Sequence, residues 1–181
     1  MKKIINIGIV LALVACASGY HNVNSRVQTS EIPTFQRMLI KLNLNENRNS
    51  FNQSLSEGLQ KSIISKLATC GIVAITYVDD PLDSKPIETF SKKIKEFQPD
   101  SILYIVRKTG FIRSNDGGSL AEFDFNLKLN RLKPTRLEVW TATSQSSILI
   151  QNLLTSDTKS GENLGIKLFE IMSKDGVVCR P

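Results

Sequence analysis

Residues 49–78 read NSFNQSLSEGLQKSIISKLATCGIVAITYV, and the fold follows from how that stretch is parsed. Phe51, Leu55, Leu59, Ile63 and Leu67 recur at every fourth position, a stripe that a helix buries along one side and a strand cannot. Gly71 supplies the left-handed residue that ends such a helix. Ile72 to Val78 follows at once as a β-branched, apolar run with little polar alternation, as expected of a largely buried strand. Asp79-Asp80-Pro81 breaks it. The stretch is a helix feeding directly into a strand, the second half of a β-α-β unit.

The first half lies upstream. Between Arg37 and Asn45, Met38, Ile40, Leu42 and Leu44 fall on one face, and Arg37, Lys41, Asn43 and Asn45 on the other, with Leu39 as the exception. Downstream, Pro86 opens a shorter helix with Ile87, Phe90, Ile94 and Phe97 on its inner side, and Pro99 closes it. A third strand begins at Ser101. Asn115-Asp116-Gly117-Gly118 is a turn signal between two strand-like runs, which gives a hairpin of Ile102 to Ile112 with Leu120 to Leu132. In its second arm Ala121, Phe123, Phe125, Leu127 and Leu129 alternate with Glu122, Asp124, Asn126, Lys128 and Asn130, so one sheet face meets water or a partner. A fifth strand runs from Arg136 to Gln145, with Leu137 and Val139 on one side and Glu138, Trp140 and Ala142 on the other. Ser147 to Leu154 fits a strand end or a helix equally. Leu164, Leu168, Ile171 and Met172 mark a last helix, which ends at Asp175-Gly176.

The expected fold is therefore α+β, a single sheet of about five strands with helices on one face, in the order β-α-β-α-β-β-β-α. That order over Arg37 to Val178, with patterns such as Phe90 to Ile105, resembles the periplasmic domains of the curli-secretion lipoprotein, the penicillin-binding-protein activator lipoprotein and the N-terminal domain of the Tol-Pal translocation protein. The helix at Pro86 to Phe97 separates it from the shorter lipopolysaccharide-assembly lipoprotein.

The N-terminus carries a second resemblance. Met1, Lys2 and Lys3 precede an apolar run from Ile4 to Ala15, long enough for a secretory leader and too short to span a bilayer as a helix. Leu13-Val14-Ala15-Cys16 resembles the bacterial lipobox. The resemblance implies cleavage before Cys16 and acylation of that cysteine, whose thiol is the nucleophile that takes the lipid. Several fatty acyl chains, palmitate among them, would then hold the protein on a membrane, since a second chain takes binding past the marginal single-chain regime. The plain alternative is an ordinary signal peptide with an incidental cysteine. Ala17 and Ser18 follow Cys16, so the aspartate that resembles an inner-membrane retention signal is missing, which implies an outer-membrane address facing the periplasm. The expected organisation is a leader over residues 1–15, a polar, flexible tether over 16–34 and one domain over 35–181.

Composition fits this picture. With 181 residues, 41% hydrophobic and 22% charged, the chain suits one globular domain. Loss of Lys2 and Lys3 with the leader leaves 21 basic against 17 acidic side chains. The basic residues are interspersed with acids, as in Lys92, Lys93 and Lys95 beside Glu88 and Glu96, and not gathered into a patch with stacking aromatics, so nucleic acid is not expected as a partner.

Two cysteines remain once Cys16 is acylated. In an oxidising compartment Cys70 and Cys179 can bridge, closing a loop of about a hundred residues for which the chain-entropy relation gives at most roughly 4.7 kcal/mol. The alternative is two buried free thiols. A catalytic thiol lacks a base, because the single histidine, His21, falls in the stretch read as tether.

Chemistry is otherwise sparse. Asp79, Asp80 and Asp83 form an acidic cluster without the glycine and distal glutamate of a calcium loop, which reads as a solvated turn. The glycines at 117 and 118 lack the lysine and following helix of a phosphate loop. No G-x-S-x-G occurs. Trp140 with Phe111 could form an exposed aromatic patch or simple packing. No catalytic, metal or cofactor site is expected. The expected function is a lipid-anchored, non-enzymatic accessory protein that binds another envelope protein through its polar strand face or an edge strand; the alternative is a binding or carrier module for a small or lipidic ligand.

Overall fold

The computed structural model describes residues 20–44, 50–115, 118–150 and 158–179. Among these, six strands form one mixed sheet: β1 Tyr20–Val27, β2 Arg37–Asn43, β3 Val73–Val78, β4 Ser101–Asn115, β5 Gly118–Arg131 and β6 Leu137–Ile150. Their order across the sheet is β1-β6-β5-β4-β2-β3. Three helices accompany them, α1 Ser50–Ala68, α2 Pro86–Phe97 and α3 Thr158–Lys174. The class is α+β, and the expected count of five strands is corrected to six.

The added strand lies where a flexible tether was expected. Tyr20–Val27 pairs antiparallel with β6 over eight residues, from Tyr20 opposite Ser147 to Val27 opposite Trp140. Its backbone groups complete the ladder of a long strand, and this pairing orders a segment whose composition alone suggested none. Cys16 and the leader lie outside the described residues.

Helices on one face are corrected to helices on both. The α1 stripe of Phe51, Leu55, Leu59, Ile63 and Leu67 is buried against Met38, Ile40 and Leu42 of β2, Leu103 and Ile105 of β4 and the inward row of β5. α3 lies beside α1 on that face. α2 lies on the other, where Phe90 meets Tyr77 with ring centroids 5.1 Å apart. The reason is handedness. β3 sits on one side of β2 and β4 on the other, so the crossover β2-α1-β3 and the crossover β3-α2-β4 run in opposite directions across the sheet. Two right-handed crossovers in opposite directions must use opposite faces. Leu39 and Ile102, paired in the β2-β4 register, are fully buried on the α2 side, which explains the apolar exception at Leu39.

Long strands carry the rest. The β4-β5 hairpin reaches Asn115 opposite Gly118; the Asp116-Gly117 turn lies outside the described residues. β6 extends to Ile150, so Ser147 to Ile150 is strand, and residues 151–154 are outside the described part. A register shift between Leu129 and Asn130 places Trp140 opposite Leu129 and Glu138 opposite Asn130. The slip turns both Val139 and Trp140 inward, each fully buried, which corrects the expected sidedness of this strand. Trp140 Nε1 donates to the Asp175 carboxylate at 2.7 Å, tying the sheet to the end of α3.

The helices α1 and α3 cross unusually closely. A Cβ on Gly161 would stand 2.1 Å from the Leu55 carbonyl oxygen, one on Gly58 1.9 Å from that of Thr158, and one on Gly165 2.0 Å from Ser62 Oγ. Glycine at these positions lets backbone meet backbone. Cys70, just after α1, is joined by a disulfide to Cys179, with Cα atoms 4.9 Å apart and a sequence separation of 109. The bridge fixes the C-terminal segment, whose Val177 and Val178 are buried in the core.

Candidate interaction surfaces

Two surfaces remain uncovered by other elements among the described residues. The first is the outer face of β1, β6, β5 and β4. Alternation sends Asn22, Asn24 and Arg26 of β1, Thr141, Thr143 and Gln145 of β6, and Glu122, Asp124, Asn126 and Lys128 of β5 to one side, in register across the four strands. The polar row expected on β5 is thus one line of a broad polar field. Lys128 pairs with Glu138 at 3.1 Å, and Thr109 donates to Asp124 at 2.8 Å. Two shallow depressions mark it, of about 360 Å³ around Asn24, Arg26, Asn126 and Thr143 and about 260 Å³ around Thr109, Phe111, Asp124 and Gln145. Phe111 is exposed there with Arg113 over its ring at 4.8 Å. The aromatic patch imagined for Phe111 with Trp140 does not form, because Trp140 is buried.

The second surface is the sheet edge at β3 together with α2. β3 pairs with β2 alone among the described strands. The Val73 N–H donates to Gln36 and the Asp79 N–H to Leu42, so odd-numbered residues bond inward, and the N–H and C=O groups of Ala74, Thr76 and Val78 point outward. Four large apolar side chains crowd this edge: Val73 is 55% exposed, Val78 42%, Leu82 78% and Ile87 81%. α2 has no buried residue, although Ile87, Phe90, Ile94 and Phe97 give it an apolar side.

Polar contacts pin α2 at both ends. At its C-terminal end the Arg37 guanidinium donates to the Phe97 carbonyl at 2.6 and 3.0 Å and lies 4.4 Å over the Phe97 ring. Asp100 beside it accepts the Gln36 and Arg37 N–H groups at 2.7 and 3.1 Å. At the other end Lys41 Nζ meets Asp79 at 3.1 Å and the Phe90 ring centroid at 4.5 Å. An open crevice of about 440 Å³ lies there, lined by Lys41, Asn43, Asp79, Asp80, Pro86 and Phe90. Burial, then the charges of Asp79, Asp83 and Asp80, raise the Tyr77 hydroxyl above its ordinary value of 10.0. The acidic cluster seen in the sequence thus borders a crevice, with Asp79 committed to Lys41, Asp80 accepting the Leu82 N–H and Asp83 the Lys85 N–H.

His21 is not in a tether. Its Nδ1 lies 2.8 Å from Ser146 Oγ, and Ser146 lies 3.4 Å from Ser144. Both serines are 1% exposed, so the group is a polar seam fastening β1 to β6. The sequence reading missed it because the strand itself was missed. Among the described residues no three His, Cys, Asp or Glu side chains gather where a metal could bind, and no helix is long and apolar enough to cross a membrane.

No protein-family model matches the sequence, and no curated protein matches it. The fold has solved counterparts. The PelC dodecamer from Paraburkholderia phytofirmans is similar over 90% of this chain and 100% of its own, with a TM-score of 0.55 and 9% identity. A variant of the same protein gives 0.50 over 85% of this chain and 96% of its own, at 11% identity. Lipoprotein GNA1162 from Neisseria meningitidis is similar over 76% of this chain and 99% of its own, with a TM-score of 0.46 and 15% identity.

Proposed function

We propose that this chain is a lipid-anchored protein of the bacterial envelope, held to the outer membrane through Cys16, that works without catalysis by binding another envelope protein on the polar face of β1, β6, β5 and β4. The observation that carries this reading is the face itself. β1, β6, β5 and the part of β4 beyond Ile102 present a broad field of Asn, Thr, Gln, Lys and acidic side chains with no helix over it among the described residues, although α1 and α3 cover the other face. Mixed polar chemistry of this kind suits a wet, reversible protein contact. The accessory roles in view are those of the curli-secretion and penicillin-binding-protein-activator lipoproteins that the element order resembles. The dodecameric neighbour adds that a domain of this fold carries contacts between subunits in that protein.

A second reading, a binding module for a small ligand, rests on the crevice of about 440 Å³ at the carboxyl ends of β2 and β3. The helices that follow these two strands lie on opposite faces, which is where open α/β sheets place ligands.

The test is a photoreactive residue at the exposed position Thr143 of the tagged full-length chain, crosslinked in intact cells and read by mass spectrometry of the membrane fraction. One stoichiometric envelope protein, lost in a Cys16→Ala chain that leaves the membrane, supports the reading. No adduct from a correctly located chain overturns it and turns attention to the crevice.

A further inference from the structure

We infer that the β3 edge is the contact between two copies of this chain, which join their sheets through antiparallel β3 strands. The inference refines the protein-contact reading above: the edge takes a second copy, and the polar face stays available to the envelope partner.

The first observation is that β3 lacks the sequence defences of an edge strand. Natural edge strands carry lysine, proline, a bulge or an inward charge that deters pairing. Val73-Ala74-Ile75-Thr76-Tyr77-Val78 has none of these, and it pairs with β2 in unbroken register. The opposite edge, β1, carries His21, Asn22, Asn24, Ser25 and Arg26.

The second observation is geometric. A two-fold axis perpendicular to the sheet keeps each face continuous, so partners across the new seam must have the same parity. Centring the axis on Ile75 sets Val73 opposite Tyr77 of the other copy and Ile75 opposite Ile75, an apolar row of β-branched and aromatic pairs. In that register the outward N–H and C=O groups of Ala74 and Thr76 meet those of Thr76 and Ala74 across the seam. The backbone demand and the side-chain match therefore coincide.

The third observation selects a copy of this chain over a foreign strand. α2 runs back along β3, so Asp79, Asp80 and Asp83 lie at one end of the edge. Lys41 and Lys85 offset part of that charge, and at the other end Lys92, Lys93 and Lys95 in the second half of α2, with Arg37 and Lys66, outnumber Glu96 and Asp100, so the two ends differ in net charge. A two-fold rotation inverts this order and lays the acidic end of each copy against the basic end of its neighbour. It also brings the α2 helices onto one face side by side, where the exposed Leu82 and Ile87 gain a covering.

The test uses full-length chain in intact cells under mild oxidation, read on non-reducing gels. Ile75→Cys places two thiols on the axis, at the Cβ separation of a directly opposed pair, close enough to bridge. Val73→Cys leaves its two copies four residues apart along the strands, roughly 13 Å, too far to bridge. The expected result is a covalent homodimer from Ile75→Cys, none from Val73→Cys, and loss of the dimer when Ala74→Pro is added to Ile75→Cys, since that proline removes an outward donor and no bond to β2. Absence of a dimer from Ile75→Cys, or equal dimer from both cysteines, overturns the inference. Capture of a different protein at Ile75 also overturns it while leaving the recruitment reading to the Thr143 experiment. If Ile75→Cys does not accumulate, light scattering on the unmodified full-length chain in detergent decides: the mass of two chains supports the pair and that of one overturns it.

Discussion

Replacing Gly161 by alanine should destabilise the domain, although the helix propensity of alanine argues the other way. In a helix interior that exchange gains about 1 kcal/mol when nothing else changes. Here the new methyl would stand 2.1 Å from the Leu55 carbonyl oxygen and 2.9 Å from Leu55 C and Leu59 N. All three are backbone atoms of α1, so no side chain can rotate away. Relief requires moving α1 from α3 by about 1 Å, and a gap of that size forfeits a quarter to a half of the dispersion attraction across the contact. Overpacking of this kind costs about 1–3 kcal/mol. Backbone obstruction places the cost at the upper end, leaving a net loss of about 1–2 kcal/mol after the propensity gain. Urea unfolding of a full-length Cys16→Ala chain, with and without the second substitution, reads it as a midpoint lowered by about 0.5–1 M at an ordinary slope. Gly176→Ala is the control. Gly176 has φ +66° with open space around it, so alanine there meets backbone strain alone, about 1–2 kcal/mol. A Gly161→Ala midpoint equal to or above that of the parent would refute the close-crossing argument.

Other consequences are testable in the same background. Asp100→Ala removes the acceptor of the Gln36 and Arg37 N–H groups and of Ser101 Oγ, and should cost about 1–3 kcal/mol in the same unfolding assay, as bonds to a charged group do. Trp140→Phe keeps the ring in the core but deprives Asp175 of its indole donor; a loss of about 1.5–3 kcal/mol is expected, and Asp175→Ala in addition should then add little. Tyr77 keeps its proton above the ordinary value of 10.0 in the folded state, so its contribution to stability is complete below that pH and is lost as pH rises through the raised value. Ultraviolet difference titration of Asp79→Asn should move Tyr77 back toward its ordinary value, with the shift from burial remaining. Reduction of the Cys70–Cys179 bond should lower the unfolding free energy by at most about 4.7 kcal/mol, read as a lower urea midpoint; an unchanged midpoint would show that buried Val177 and Val178 hold the C-terminal segment unaided.

The parts of the fold visible in the sequence were those where one face is apolar and the other polar. The α1 stripe from Phe51 to Leu67 and the alternation from Ala121 to Leu129 each leave a single period to read, and both are buried as read. β1 was hidden because its inner row is mixed: Val23 packs against the core, but His21 meets Ser146 on the same side and Ser25 shares that row, so with Asn22, Asn24 and Arg26 outside, the apolar residues are too few to show a period. Trp140 turned inward through a register slip, which strand alternation cannot reveal. The side on which α2 packs is absent from its own residues. It follows from crossover handedness once β2 is known to lie between β3 and β4. For the surfaces, the polar row on β5 was legible, but its width across four strands depended on the pairing of β1. The exposed edge at β3 was misleading, because an uncharged apolar run of that length looks like a strand with neighbours on both sides.

The early start of β1 changes what an acyl anchor at Cys16 can do. Ordered pairing begins at Tyr20, and four residues at full extension span at most about 14 Å. With lipid on Cys16, as proposed, that distance would be under two screening lengths at physiological ionic strength, so the attachment would be a mooring at one corner of the sheet. A domain so held would tilt about that corner without sweeping across the compartment. Whatever it bound would have to come to the same lipid surface, where encounter is a search in two dimensions and a high local concentration lets modest affinity hold.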